Sequence, residues 1–449
     1  MDDLLLDAAR RGSRYLSTLR ERSVAPTPDA LARMHLLGGP LQDDPIDPAA
    51  VLAQLDELGS PATVATASGR YFGFVIGGSL PATVAANMLA AAWDQNAGLQ
   101  TASPVAAELE TICRPWLASL LNFPEATEVG FATGATMANF TGLAAARHAV
   151  LADHGWDVES RGLFGAPPIT VVVGEEVHAS LLKALSMLGL GRDRVVRVPA
   201  DHMGRFRADA LPTISGPAIV CIQAGNVNSG AFDPARDICT RVQGRAWVHV
   251  DGAFGLWAAA SPSKRHLTDG LDLADSWATD AHKWLNVPYD CGLVFVRERR
   301  HLNAAMAASA AYLIEGESRD PHLFVPEMSR RARGVEIWAA LRSSGRSGIA
   351  ALVDRTCAHA QRMASALRDA GHEVLNDVEL NQVLVSFGSA EATERVIAGI
   401  QREGTCWCGG TVWKGRVAMR ISVSSWATTD DDIDRSIAAI VGEARAVLG

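Results

Sequence analysis

The sequence predicts an α/β protein: one large, mostly parallel sheet domain, a helical N-terminal arm and a small C-terminal α+β domain. Two observations carry this. Between about residues 125 and 296, short apolar runs alternate with helical stretches: "ITVVV" (169–173), "AIVCI" (218–222), "AWVHV" (246–250) and "LVFV" (293–296). Each ends in a polar or glycine-containing turn, the pattern of parallel strands buried on both faces. The chain is also long, at 449 residues, and 48% apolar with 20% charged, so it supports one large core and a smaller one.

The elements follow in order. Residues 1–75 read as an arm: an amphipathic helix from "MDDLLLDAARRGSRYL", a connector "GGPLQDDPIDP", and a second helix over 49–58. The stretch "LPATVAANMLAAAW" (80–93) is shorter than the roughly 20 apolar residues a membrane span needs. It reads as a small-residue helix that packs against another protein surface. The apolar runs belong to a large domain, placed at 76–310. A segment without clear strands and a helix over 335–342 follow, then "VLVSF" (383–387) and "VAMRISV" (417–423) between helices. These form a small domain, 311–449, that begins with a loop.

Bulk chemistry excludes several classes. The net charge is −9 and no basic run appears, which argues against nucleic acid as a partner. The N-terminus lacks a secretory pattern. Seven cysteines, an odd number, do not suggest a disulfide framework, and Cys406 and Cys408 in "TCWCGG" have no second pair nearby to complete a metal site. The expectation is a reduced cytoplasmic enzyme without metal, membrane or nucleic-acid partners.

In open α/β sheets ligands bind past the carboxyl ends of the strands, and four such ends carry chemistry. In "FATGATMANFTGL", Gly134, Ala135 and Thr136 open a helix whose first N–H groups suit a phosphate, although an ordinary helix cap reads the same way. In "VVVGEEVHASLLKAL", His178 sits between strand and helix, as a cap, a core residue or a site imidazole. In "WVHVDGAFG", Asp251 ends a strand as a helix cap or as a buried carboxylate wanting a cation, and Ala253 is small enough for a flat ring to approach. In "WATDAHKWLNVPYDCGLVFV", Lys283 stands on an apolar, tryptophan-flanked turn, where burial favours the neutral amine that makes imines. Phosphate turn, flat-ring neighbour, buried acid and imine-forming lysine are together what pyridoxal 5'-phosphate requires.

These residues resemble the group II pyridoxal-phosphate-dependent amino acid decarboxylases, of the aspartate aminotransferase-like fold type I. The resemblance runs through "YFGFVIGGSLPA", "TASPVAAELE", "FATGATMAN", "EEVHASLLKAL", "AGNVNSGAFDP", "HVDGAFG", "DAHKWLNVPYDCG" and "RISVSSWATTDDDID". It implies a lyase that removes the α-carboxylate of an L-amino acid through an external aldimine and a quinonoid. Lys283 is implied as the Schiff-base lysine, His282 as a phosphate-holding neighbour and Asp251 as the pyridinium partner. Ala253 is implied beneath the ring, His178 on its face, and Ala135 and Thr136 in the phosphate turn. Asn226 falls near the cofactor hydroxyl or the substrate carboxylate, in a position where many relatives carry threonine. The family is an intertwined homodimer with shared sites, which makes Phe72, Phe74 and Asn96 candidate substrate contacts.

One departure stands out. The family's reprotonating tyrosine lies on a mobile loop, here about 312–328, and Pro321 occupies its place with His322 alongside. Of four tyrosines only Tyr312 is near. His322 is therefore a candidate proton donor, and the alternatives are oxidative decarboxylation–deamination to an aldehyde, carbon–carbon cleavage as in sphingosine-phosphate lyase relatives, or a non-enzymatic scaffold. Arg330 and Arg331 in "SRRARG" read as a solvated face, slightly ahead of a role in holding the substrate carboxylate.

Overall fold

All four apolar runs enter one sheet. The computed structural model describes residues 2–307 and 319–449. Among these, the large sheet holds β1 (Glu128–Ala132), β2 (Thr170–Gly174), β3 (Val196–Val198), β4 (Ala218–Gln223), β5 (Trp247–Asp251), β6 (Ser276–Asp280) and β7 (Gly292–Val296). Their order is β1-β7-β6-β5-β4-β2-β3. β6, β5, β4, β2 and β3 run parallel. β7 is antiparallel to both β6 and β1, so the parallel expectation for "LVFV" is corrected. The reason is the short turn 281–291 between β6 and β7, since a parallel crossover needs a dozen or more residues.

Every residue of β1, β5, β6 and β7 is buried. The helix Ala135–Ala152 packs on β5, β6 and β7. Its buried face is built largely from alanine, including Ala138, Ala144, Ala145, Ala146 and Ala149, so its backbone lies close to the sheet. A Cβ on Gly142 would come within 2.8 Å of the His249 ring. The sheet lies in a unit formed by Ser79–Ala358 and Asn376–Gln382.

The other unit comprises Met1–Gly78, His359–Leu375 and Val383–Gly449. The N-terminal helices run Asp2–Thr18 and Pro48–Ala62. β8 (Glu373–Val374), β9 (Gln382–Ser386), β10 (Gly409–Trp413) and β11 (Arg416–Ser422) form a second sheet in the order β10-β11-β9-β8. The helix Asp430–Leu448 opens with a reciprocal cap between Thr429 and Asp432. The helix expected over 335–342 spans Gly334–Asp369 and breaks at Gly345, whose φ of 59° a glycine adopts without strain. All seven cysteines are free and buried. Among the described residues, no helix is long and apolar enough to cross a membrane.

Candidate active site

β6 ends at Asp280, and the chain turns at once through Ala281, His282 and Lys283. Lys283 Nζ lies 3.2 Å from Asp280 Oδ2. His282 Nε2 lies 3.4 Å from Asp280 Oδ1, and the Ala135 N–H donates to that same oxygen at 2.6 Å. Donors from the lysine turn and from the first turn of the Ala135 helix therefore converge on one carboxylate. The His282 ring is held from both ends. Its Nδ1 accepts the Cys291 N–H at 3.0 Å, which leaves the proton on Nε2, and its face stacks on Tyr289 at 4.2 Å. Burial, more than its charged neighbours, lowers the His282 pKa.

The flanking tryptophans explain how a lysine comes to sit here. Trp277 donates to the Leu271 carbonyl and Trp284 to the Thr356 hydroxyl, so both indoles are buried with satisfied N–H groups. The turn is pinned, and the Lys283 side chain keeps 19% exposure. β7 must also pass close to the helix start: a Cβ on Gly292 would lie 2.5 Å from Gly134 Cα. Only glycine lets the two turns meet.

Asp251 ends β5 at 5% exposure. Burial pushes its carboxyl pKa up, His178, Lys283 and the Asn139 amide pull it down, and Asp280 adds to the upward push. Behind it runs a buried polar chain. Trp247 Nε1 donates to the Ser276 hydroxyl at 2.8 Å, which meets His249 Nδ1 at 2.8 Å, and His249 Nε2 meets Asn139 Oδ1 at 2.9 Å. Burial drives the His249 pKa down to about 3, so the ring is neutral. It therefore donates through Nε2, which turns the Asn139 amide nitrogen toward Asp251. That nitrogen is buried and, among the described residues, has no partner at hydrogen-bonding geometry.

The other expected residues fall as follows. Gly134 is the N-cap of the Ala135 helix and offers no side-chain cap, and Thr136 is half-buried in the first turn. His178 caps the helix Ala179–Met187, its Nδ1 accepting the Ser180 N–H at 3.3 Å, and it is exposed. The Ala253 carbonyl accepts the Asp280 N–H at 2.8 Å and so joins the β5 and β6 turns. Asn226 is buried and engaged in its own turn: Oδ1 accepts the Asn228 and Ser229 N–H groups, and Nδ2 donates to Gln223. Asn96 is exposed, with Oδ1 accepting from the Gly98 and Arg330 N–H groups. Phe72 and Phe74 belong to the other unit. Phe72 is fully enclosed, whereas Phe74 is 59% exposed and tilted on Trp407 at 5.5 Å.

His322 is not on an open loop. It lies in a short helical turn, Pro321–Phe324, at 5% exposure, with its N–H and Nδ1 both directed to the Gly98 carbonyl at 3.0 and 3.3 Å. Tyr312 lies outside the described residues. Arg330 corrects the solvated-face expectation. It is 7% exposed, donating to Glu110 at 2.6 Å and to the Phe131 carbonyl at 3.1 Å. Arg319 also reaches Glu110, at 3.2 Å, and stacks on Phe324. Arg331 pairs with Glu336 and Asp290.

Sequence reasoning missed Asp280, Asn139, His249 and Glu110. A signal existed for two of them: Asp280 precedes Lys283 by one helical turn, and Asn139 falls four residues after Ala135, on the same helix face.

Pyridoxal phosphate asks for converging donors at its phosphate, a buried carboxylate at its ring nitrogen and an amine at its aldehyde. The donors gathered on Asp280, the buried Asp251 with its orphaned Asn139 neighbour, and Lys283 fit that group. Among the described residues no cluster of His, Cys, Asp or Glu is arranged to hold a metal. The comparisons agree with this chemistry. Tryptophan decarboxylase 1 of Oryza sativa subsp. japonica is 28% identical over 409 residues, 81% of this chain and 78% of that protein. Aromatic-L-amino-acid decarboxylase of Bacillus atrophaeus is 25% identical over 96% of this chain and 91% of its own length. The fold matches Oryza sativa TDC solved with PLP and tryptamine at a TM-score of 0.90, with 22% identity, covering 100% of this chain and 98% of the other. Residues 42–389 match the pyridoxal-dependent decarboxylase conserved domain, so the chain belongs to that family and is a fold type I, pyridoxal-phosphate-dependent amino-acid decarboxylase.

Proposed function

We propose that Lys283 is the amine that holds the cofactor aldehyde and that Asp251 keeps the ring nitrogen protonated. The Ala135 and Thr136 N–H groups, with His282, hold the phosphate, and His178 and Ala253 flank the ring. When bound, pyridoxal phosphate supplies an electron sink for the pair left when a bond at the substrate α-carbon breaks. Asn139 and His249 orient Asp251 from behind. Asn226 acts by shaping its turn, and Phe74 and Asn96 are the side chains with exposed faces to offer a substrate. The observation that carries this reading is the convergence of Ala135, His282 and Lys283 donors on one point, beside a buried aspartate.

The reaction is loss of the α-carboxylate as carbon dioxide and return of a proton to the α-carbon, giving an amine. His322 is the proton-returning group, through the Nε2 left free of the Gly98 contact. The chain acts as a homodimer with shared sites, supported by the exposed Met88, Leu89 and Trp93 on the helix Pro81–Trp93.

The test is a screen of amino acids for carbon dioxide release, beginning with the aromatic ones that the curated relatives act on. Lys283→Ala should abolish turnover and the borohydride-reducible adduct. His322→Phe should lower amine formation by roughly 10²–10⁴-fold, the contribution of a placed general acid, with aldehyde and peroxide rising in air. Unchanged amine output would remove the histidine. Aldehyde from the unaltered protein, with oxygen consumed, would replace the simple decarboxylation by the oxidative reaction.

A further inference from the structure

Asp280 has no place in the cofactor assignments above, yet it sits where the phosphate donors meet. Its side chain is 4% exposed. It takes the first N–H of an 18-residue helix, the position at which such a helix best binds an anion. It also engages His282 Nε2 and Lys283 Nζ. We propose that Asp280 is a protein-borne stand-in for the cofactor phosphate, and that loading the site takes up a proton at this carboxyl. The proposal rests on the phosphate-site reading given above.

The charges around Asp280 support it. From its own turn it meets His282 and Lys283. From the strand beside it comes Asp251, another buried acid, which itself faces His178 and Lys283. The Ala135 helix presents only the uncharged Gly134, Ala135 and Thr136. From the end of the turn that leads into β7 comes Cys291, whose thiol burial pushes well above its ordinary pKa and keeps it neutral. Trp257 approaches only the Asp280 backbone carbonyl, at 3.0 Å.

A phosphate placed on these donors would add negative charge beside two carboxylates, and one Ala135 N–H cannot serve both anions. An ionised Asp280 can only accept hydrogen bonds, whereas the protonated acid has an O–H to donate. Taking up one proton removes the like-charge repulsion and turns a competitor into a donor. The same carboxylate gives Lys283 and the helix terminus a counter-charge when no phosphate is bound.

The probe is 4'-deoxypyridoxine 5'-phosphate, which keeps ring and phosphate but has no aldehyde to bond Lys283. Its affinity for the cofactor-free protein is measured by equilibrium dialysis from pH 5.5 to 8.5, for the unaltered chain, Asp280→Asn and Asp280→Ser. The unaltered chain should lose affinity with rising pH more steeply than Asp280→Asn, by up to tenfold more per pH unit. At pH 8 both variants should bind at least tenfold more tightly. Circular dichroism matching the unaltered protein establishes that the variants are folded. Parallel pH profiles, or weaker binding by both folded variants at pH 8, overturn the stand-in role. His282→Ala separates the two readings. Unchanged probe affinity in that variant places the phosphate elsewhere and overturns the site assignment and this proposal together. Weakened affinity there, with parallel Asp280 profiles, overturns this proposal alone.

Discussion

Asp251 shows how one buried acid is made to work. Nothing in a strand whose five residues are all buried tolerates a bare carboxylate, yet Asn139, His178 and Lys283 all favour its charged form. A charge-assisted hydrogen bond contributes roughly 1.5–3 kcal/mol, and the electron sink depends on it more in the transition state than in the ground state. Asp251→Asn should therefore lower the single-turnover rate about 10- to 100-fold while cofactor absorbance falls less. Equal losses in rate and occupancy would count against the assignment. His249, behind it, gives a pH signature. Its pKa falls from the ordinary 6.5 to about 3 in the folded chain, so the unfolded chain takes up the proton first. The stability this contributes is complete above pH 6.5 and is lost as pH falls toward about 3. Asp233 and Asp275, each raised by burial to about 6, act in the opposite sense, so the informative quantity is a difference. His249→Gln should lose stability less steeply than the unaltered chain between pH 6 and 4, by up to about 1.4 kcal/mol per pH unit. Parallel denaturation curves would contradict the neutral, buried ring.

At the scale of elements, the helix Pro104–Leu120 is tied to β1 by ions rather than by apolar contact alone. Glu110, 1% exposed, receives Arg330 and Arg319, and Arg330 continues to the Phe131 carbonyl on β1. Breaking a buried pair by removing one partner costs about 3–5 kcal/mol, because the survivor stays buried and uncompensated. The two ends of this cluster should differ. Arg330→Met leaves Glu110 with Arg319, whereas Glu110→Gln strands the Arg330 guanidinium and leaves Arg319 only its contact with Glu128, at 3.5 Å. Glu110→Gln should lower the thermal midpoint more than Arg330→Met, and the reverse order would mean that the arginines draw their support from the backbone carbonyls.

At the scale of the molecule, the proposed homodimer makes a quantitative prediction. Lys283→Ala and Asn96→Ala proteins, each inactive, should complement when their subunits exchange. In a two-fold dimer mixed at equal amounts, half the dimers are hybrids and about a quarter of all sites carry both native residues. Recovery near that fraction supports a site built from two chains. No recovery after demonstrated exchange would place Asn96 and Lys283 of one chain in the same site.

The sequence alone determined the α/β class, the main strands and the cofactor, because these depend on neighbours along the chain. An apolar run followed by a polar turn is a local pattern, and so is a lysine between tryptophans. What needed the tertiary structure is non-local. β6, "SWATD", has no apolar run and is buried because β5 and β7 pair with its edges and the helix Ala135–Ala152 packs on it. β7 reverses direction because its connection from β6 is short. Arg330 looked solvated because its partner, Glu110, is 220 positions away. Asp280 meets the Ala135 N–H across 145 positions, and no pattern in either stretch announces the other. Residue type and local period select which side chains are able to carry the chemistry. The folded chain decides which charge faces which, because electrostatic interaction follows distance through space and not along the sequence.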